Sequence, residues 1–218
     1  ATVALCLLLP LLLSSCQAPV TLHVAYSSWV GYESLSLAKD MGWLPDEVLL
    51  HRVESPAAAA QLLQEGVVQA AALTLDLALH VRQQLDDLKV VLVMDEFVAA
   101  DGARNLSDTR PAPATMLHVL AVDGASLLHR EEALAATIAG HFRALEYLRD
   151  NREDAIYRYA AYQGSSSGAV RGTLAELQLP ALEGVRSQLQ PGGAVERAAL
   201  GLLAEGTGTG DRESVDGM

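Results

Sequence analysis

From Val20 onward, short β-rich runs alternate with stretches whose apolar residues recur at helical spacing. Val20 to Tyr26 and Val48 to Val53 read as strands, with the helical pattern Ser34 to Met41 between them. Ala57 to Glu65 reads as a helix ended by Gly66, Val68 to Leu73 as a strand and Thr74 to Gln84 as a further helix, because apolar period and stop residues change together at those points. Leu88 to Met94 is a continuous apolar run that suits the centre of a parallel sheet. The order βαβαβαβ predicts an α/β fold with right-handed crossovers and a parallel-rich sheet.

The second half is patterned differently. Asp95 to Pro113 carries Pro, Ala and charges without periodicity and is expected to be a long loop. Thr115 to Asp123 reads as another strand, Leu127 to Asp150 as a long amphipathic helix, and Arg152 to Tyr162 as a second helix with Ile156, Tyr159 and Ala160 on one face. Gly164 to Leu203 consists of glycine-broken helical pieces. Gly206 to Met218 has almost no large apolar residues, so residues 205–218 are expected to form a disordered tail.

Composition narrows the picture. With 218 residues and 50% hydrophobic content the chain can fill a sizeable core. A net charge of −12 with only 15 basic residues excludes the footprint that nucleic acid requires. Thr2 to Leu13 is nearly all apolar but too short to span a bilayer, and matches the core of a secretory signal. Leu13-Ser14-Ser15-Cys16 follows and looks like a bacterial lipobox, which makes Cys16 the expected lipid-attachment residue. A plain signal or a buried N-terminal strand is the alternative. The segment lacks an initiator Met and a basic start, so the sequence is expected to begin inside the signal.

Candidate chemistry concentrates after the first strand. Ser27-Ser28-Trp29-Val30-Gly31-Tyr32-Glu33 joins that strand to the next helix, at the strand ends where α/β folds bind ligands. Thr74 stands at the start of another helix with Asp76 in its first turn. Glu33, Asp76, Asp95 and Glu96 make these loops acidic and favour a neutral or amine-bearing ligand. Enzyme motifs are weak. Gly164-Ser-Ser-Ser-Gly168 fits G-x-S-x-G only literally, since a helical pattern precedes it where a nucleophile elbow needs a strand. The six histidines show no metal-binding spacing, Gly206 to Gly210 lacks the strand and Lys of a phosphate loop, and no cofactor is expected.

A resemblance to a known family rests on several segments in order. Trp29-Val-Gly31-Tyr32-Glu33 with Leu37-Ala38 and Gly42, the run Gln61 to Asp76, Val90 to Asp101, and Phe142 to Leu148 with Asn151 to Ala155 resemble the substrate-binding proteins of ABC importers, in the branch serving nitrate, sulfonates and thiamine-precursor pyrimidines. The resemblance implies Ser28, Trp29 and Tyr32 as first-loop ligand contacts, Thr74 as a hydrogen-bonding contact and Asp95 as a hinge-side polar group. It also implies a small-molecule ligand, an importer permease as partner, and a place in the periplasm or on the outer face of the cell membrane. Family members have two lobes. Here Met116 to Val122 looks like the strand returning from the second lobe, yet only one loop precedes it. The expected organisation is a signal over 1–16, a single binding-protein-like lobe with C-terminal helices over 17–204, and a tail over 205–218. A single-lobe interaction or sensory module, or a truncated remnant without function, is the other reading.

Overall fold

The computed structural model describes residues 20–98 and 115–208. The expected signal with Cys16, most of the predicted loop and the last ten residues lie outside the described residues. β1 (Leu22–Ser27) passes through a 3-10 turn at Val30–Tyr32 into α1 (Glu33–Asp40). Then come β2 (Val48–Val53), α2 (Pro56–Gln64), β3 (Ala70–Thr74), α3 (Leu75–Arg82) and β4 (Lys89–Val98). After β5 (Thr115–Val122) the described residues form α4 (Gly124–His129), α5 (Glu131–Asp150), α6 (Arg152–Gln163), α7 (Ser167–Glu176), α8 (Leu182–Leu189) and α9 (Ala194–Gly208), with the two-residue strand β6 (Leu177–Gln178) between α7 and α8.

Among the described residues six strands form one sheet in the order β2-β1-β3-β5-β4-β6. β1 is parallel to β2 and β3, whereas β5 is antiparallel to both β3 and β4, and β6 to β4. Strands β1 to β4 therefore all run in one direction. β2 and β3 lie on opposite sides of β1, so right-handed crossovers put α1 and α2 on opposite faces of the sheet. Helices on both faces leave little room between them. The central strand accordingly carries Ala70, Ala71 and Ala72, all without exposure, and Val119 to Val122 of β5 are equally buried beside it.

Local residues account for the element ends. Ser55 caps α2 by accepting from the Ala58 amide at 3.1 Å, with Pro56 at the first helical position. Gly66, at φ +70°, follows its last turn in the left-handed conformation that glycine adopts freely. The predicted helix over 127–150 is two helices. Asp123 caps α4 through the Ser126 amide at 2.8 Å, and Arg130 leaves helical geometry and donates to the Thr21 carbonyl. A second hydrophobic cluster joins α1, α5, α6 and α7 around Leu37, Leu148, Ile156 and Tyr159.

Two expectations about β4 need correction. It does not sit between parallel neighbours at the centre of the sheet, because β5 and β6 flank it and both oppose it. Nor does it stop at Met94. It continues through Asp95, Glu96 and Phe97 to Val98, paired with β5 across two register shifts that lie between Val90 and Leu92 and between Val93 and Asp95. Bulges of this kind re-aim side chains without ending a strand. Gly164-Ser-Ser-Ser-Gly168 is the turn between α6 and α7 and the start of α7, where Ser166 caps α7. α9 reaches Gly208, four residues into the stretch expected to be a tail.

Candidate ligand site at the strand ends

The loops after β1 and β3 leave the sheet toward opposite faces, because β1 connects to β2 on one side and β3 connects onward to β4 on the other. Adjacent parallel strands whose connections diverge leave a crevice at their C-terminal ends, the usual ligand position in open α/β sheets. Trp29 and Tyr32 follow β1 and Thr74 ends β3. The antiparallel register then carries the line of side chains sideways: Thr74 pairs with His118 of β5, and His118 pairs with Asp95 of β4. Three strands thus bring a hydroxyl, an imidazole and a carboxylate into one row.

Asp95 is fully buried. Its Oδ1 lies 2.7 Å from His118 Nδ1, and its Oδ2 accepts from Trp29 Nε1 at 3.1 Å. The carboxylate thereby fixes an N–H on Nδ1 of His118, as second-shell carboxylates do for functional histidines. The Trp29 ring lies over the His118 ring, with centroids 4.6 Å apart and planes 29° from parallel, while Phe97 meets Trp29 edge-on at 5.9 Å. Tyr32 meets His118 edge-on at 5.6 Å. Burial, together with the charges of Asp95 and Asp76, raises the Tyr32 hydroxyl well above the ordinary phenol range, so it stays protonated.

Close backbone approach completes the cluster. An ideal Cβ at Gly31 would stand 1.8 Å from Asp95 Oδ2 and 2.9 Å from Trp29 Nε1, so only glycine leaves room for the carboxylate. The neighbouring serine is held from behind. Ser34 Oγ donates to the Gly31 carbonyl at 3.2 Å and lies 2.8 Å from Nδ1 of His141, a histidine of α5 with no exposure.

Four of the five residues expected to contact ligand, Trp29, Tyr32, Thr74 and Asp95, converge here; Ser28 is exposed beside Trp29. Their parts differ from expectation in detail. Tyr32 is only 1% exposed and underlies His118, so it offers no open stacking face. Thr74 occupies the N-cap position of α3 but makes no side-chain cap bond, so its hydroxyl is not used in capping the helix. The acidic character is also smaller than the sequence suggests. Glu33 turns away to Arg52 and Ser36, at 2.5 and 2.7 Å, and Glu96 accepts from Gln188. With Asp95 held by Trp29 and His118, exposed Asp76 is the one remaining acid of the four. His118 was not among the expected site residues. A lone histidine in the apolar run Met116 to Val122 gives no signal until strand register places it against Asp95 and Thr74.

No protein-family model matches the sequence, and no curated protein does. Solved structures do share the fold. The ligand-binding component of an ABC-type import system from Staphylococcus aureus, with zinc bound, aligns at a TM-score of 0.65 over 86% of this chain and 92% of that one, at 10% identity. The CA3427 gene product of Candida albicans, which has the generic periplasmic binding protein fold, aligns at 0.54 over 73% and 81%, at 10% identity. The alkanesulfonate-binding protein SsuA from Xanthomonas axonopodis pv. citri, bound to MOPS, aligns at 0.53 over 76% and 88%, at 13% identity. The chain has the periplasmic binding protein fold, and identities this low establish architecture alone. Among the described residues no group of three or more His, Cys, Asp and Glu side chains could hold a metal ion, and no helix among them is long and apolar enough to cross a membrane.

Proposed function

We propose that the protein is a solute-binding component of an ABC importer that captures a small polar organic molecule against Trp29, His118 and Thr74 and delivers it to a membrane permease. The observation that carries this reading is the row Thr74, His118, Asp95 beneath Trp29 at the diverging strand ends. An aromatic face, an oriented imidazole and a hydroxyl suit a flat or compact polar solute, recognised by stacking and by a few directed hydrogen bonds. Two of the structural relatives are an import-system ligand-binding component and an alkanesulfonate-binding protein, which supports placing this chain in the same functional class.

Among ligand classes, an aminopyrimidine thiamine precursor is favoured over a sulfonate or nitrate. Asp76, in the first turn of α3, can accept from an exocyclic amine beside Thr74. The competing anions would rely on the α3 N-terminus against that same negative charge. The lipobox-like Leu13 to Cys16 supports an anchor at Cys16 and a position on the outer face of the membrane or in the periplasm. The single-lobe reading rests on the short stretch between β4 and β5, where residues 99–114 alone separate the two strands.

Isothermal calorimetry of the chain from Gln17 onward, against an aminopyrimidine thiamine precursor, taurine, an alkanesulfonate and nitrate, tests the proposal. Micromolar binding of one class, weakened by about tenfold or more in His118→Ala, is expected. A well-folded protein that binds none of the four would point instead to an interaction module.

A further inference from the structure

The crevice loop is joined by hydrogen bonds through Ser34 to a buried histidine of α5, outside the sheet. His141 lies on α5, Ser34 on α1 and Gly31 in the turn between β1 and α1. Within this row the protons can be placed. Burial pushes the His141 imidazole down to about 3, so it is neutral and carries one N–H. Its Nε2 is buried and has no partner among the described residues. Placing the N–H on Nε2 would bury an orphan donor and take the Ser34 proton away from Gly31. Placing it on Nδ1 leaves only a bare acceptor, and orphaned buried N–H groups are the rarer case. The favoured order is therefore His141 Nδ1–H to Ser34 Oγ at 2.8 Å, and Ser34 O–H to the Gly31 carbonyl at 3.2 Å.

Gly31 is the point at which this row meets the crevice. Its Cα presses so closely on Asp95 that a Cβ there would overlap the carboxylate, and Asp95 holds both Trp29 and His118. A peptide plane that tilts at Gly31 moves the carboxylate, and the carboxylate sets the tilt of the two rings. We propose that His141 is a positioning residue for the ligand site, acting through Ser34 and Gly31 to hold the Trp29–Asp95–His118 cluster in its binding geometry. This rests on the binding reading for its consequence, though not for its geometry.

The test separates the two. Trp29 and Trp43 are the only tryptophans, so a Trp43→Phe background leaves Trp29 as the sole indole signal. In ligand-free protein, His141→Leu is expected to keep its far-ultraviolet dichroism while the Trp29 near-ultraviolet band falls and its emission moves to the red. His141→Asn, whose amide can donate from nearly the Nδ1 position, is expected to restore most of the signal. Ser34→Ala, a smaller change, should reproduce the Leu phenotype even where the leucine variant fails to fold. For whichever panel solute binds, affinity is expected to fall about tenfold in Ser34→Ala. A Ser34→Ala protein with lowered melting temperature but unchanged Trp29 spectra would overturn the proposal and leave His141 a packing residue. Altered Trp29 spectra in a protein that binds no panel solute would uphold the positioning chain and count against the binding function alone.

Discussion

Both oxygens of Asp95 are taken, one by an imidazole and one by an indole, and a buried carboxylate used in this way costs more to disturb than to keep. Gly31→Ala forces it aside, because the added methyl and Oδ2 cannot share the space. The expected loss is about 1–3 kcal/mol, the range for overpacking a buried site, read in urea denaturation and accompanied by a changed Trp29 near-ultraviolet band. An alanine variant with unaltered spectra would show that Asp95 yields without moving its partners. At His141 the sign of the pH effect follows from its depressed basicity. The folded imidazole titrates at about 3, an unfolded one at about 6.5, so the unfolded state gains the proton first as pH falls. Its contribution to stability is whole above about pH 6.5 and declines toward pH 3, by up to about 1.4 kcal/mol per pH unit. Denaturation series from about pH 7 to about pH 4 should show that slope, and His141→Leu should remove most of it. At this scale Trp29, Tyr32, Thr74 and Asp95 were legible because each is a chemically distinctive residue beside an apolar run. His118 and His141 were not, since one is defined by strand register and the other by the packing of α5 on α1.

Among the elements, β2 and α1 are tied by an ion pair that is buried at one end. Glu33 has no exposure, whereas the Arg52 side chain keeps 31%. Removing Arg52 leaves the carboxylate with Ser36 as its remaining hydrogen-bond donor, so Arg52→Ala is expected to cost about 2 kcal/mol, less than for a pair buried at both ends. Glu33→Gln in that background should recover a large part of it by removing the uncompensated charge. Equal stability of the single and double variants would mean that solvent already screens Glu33. The element pattern itself was largely visible: β2 coincides with its predicted run, and β1, β3, α2 and α6 differ from theirs only at the ends. The failures share a cause. Asp95 to Val98 looked unlike a strand because charge enters the run, and only partners supplied by β5 and the β1 loop make that charge tolerable there. The break between α4 and α5 depends on Arg130 reaching the Thr21 carbonyl more than a hundred residues away, which no local pattern encodes.

For the whole molecule, the α/β class and the one-way run of β1 to β4 follow from alternation in the sequence, whereas the place of β5 in the sheet does not, because nothing in an apolar octapeptide states its direction. The C-terminal helices complete the core. Val195, Ala198, Ala199 and Leu202 of α9 pack against the main hydrophobic cluster, so ending the chain before Ala194 should lower stability by about 3 kcal/mol through newly wetted apolar surface. Calorimetric melting of the shortened chain checks this, and an unchanged transition would mark α9 as dispensable.

The pairing of Val98 with Thr115 has a consequence for engineering. Val98 and Thr115, the described residues on either side of 99–114, stand at neighbouring backbone positions on two strands that also carry Asp95 and His118. Extra polypeptide spliced there meets a closed pair of attachment points and need not reroute any strand. A circularly permuted fluorescent domain inserted at this junction would be attached beside the Trp29–Asp95–His118 cluster, and under the proposed function any solute that shifts this cluster would be read as an optical signal.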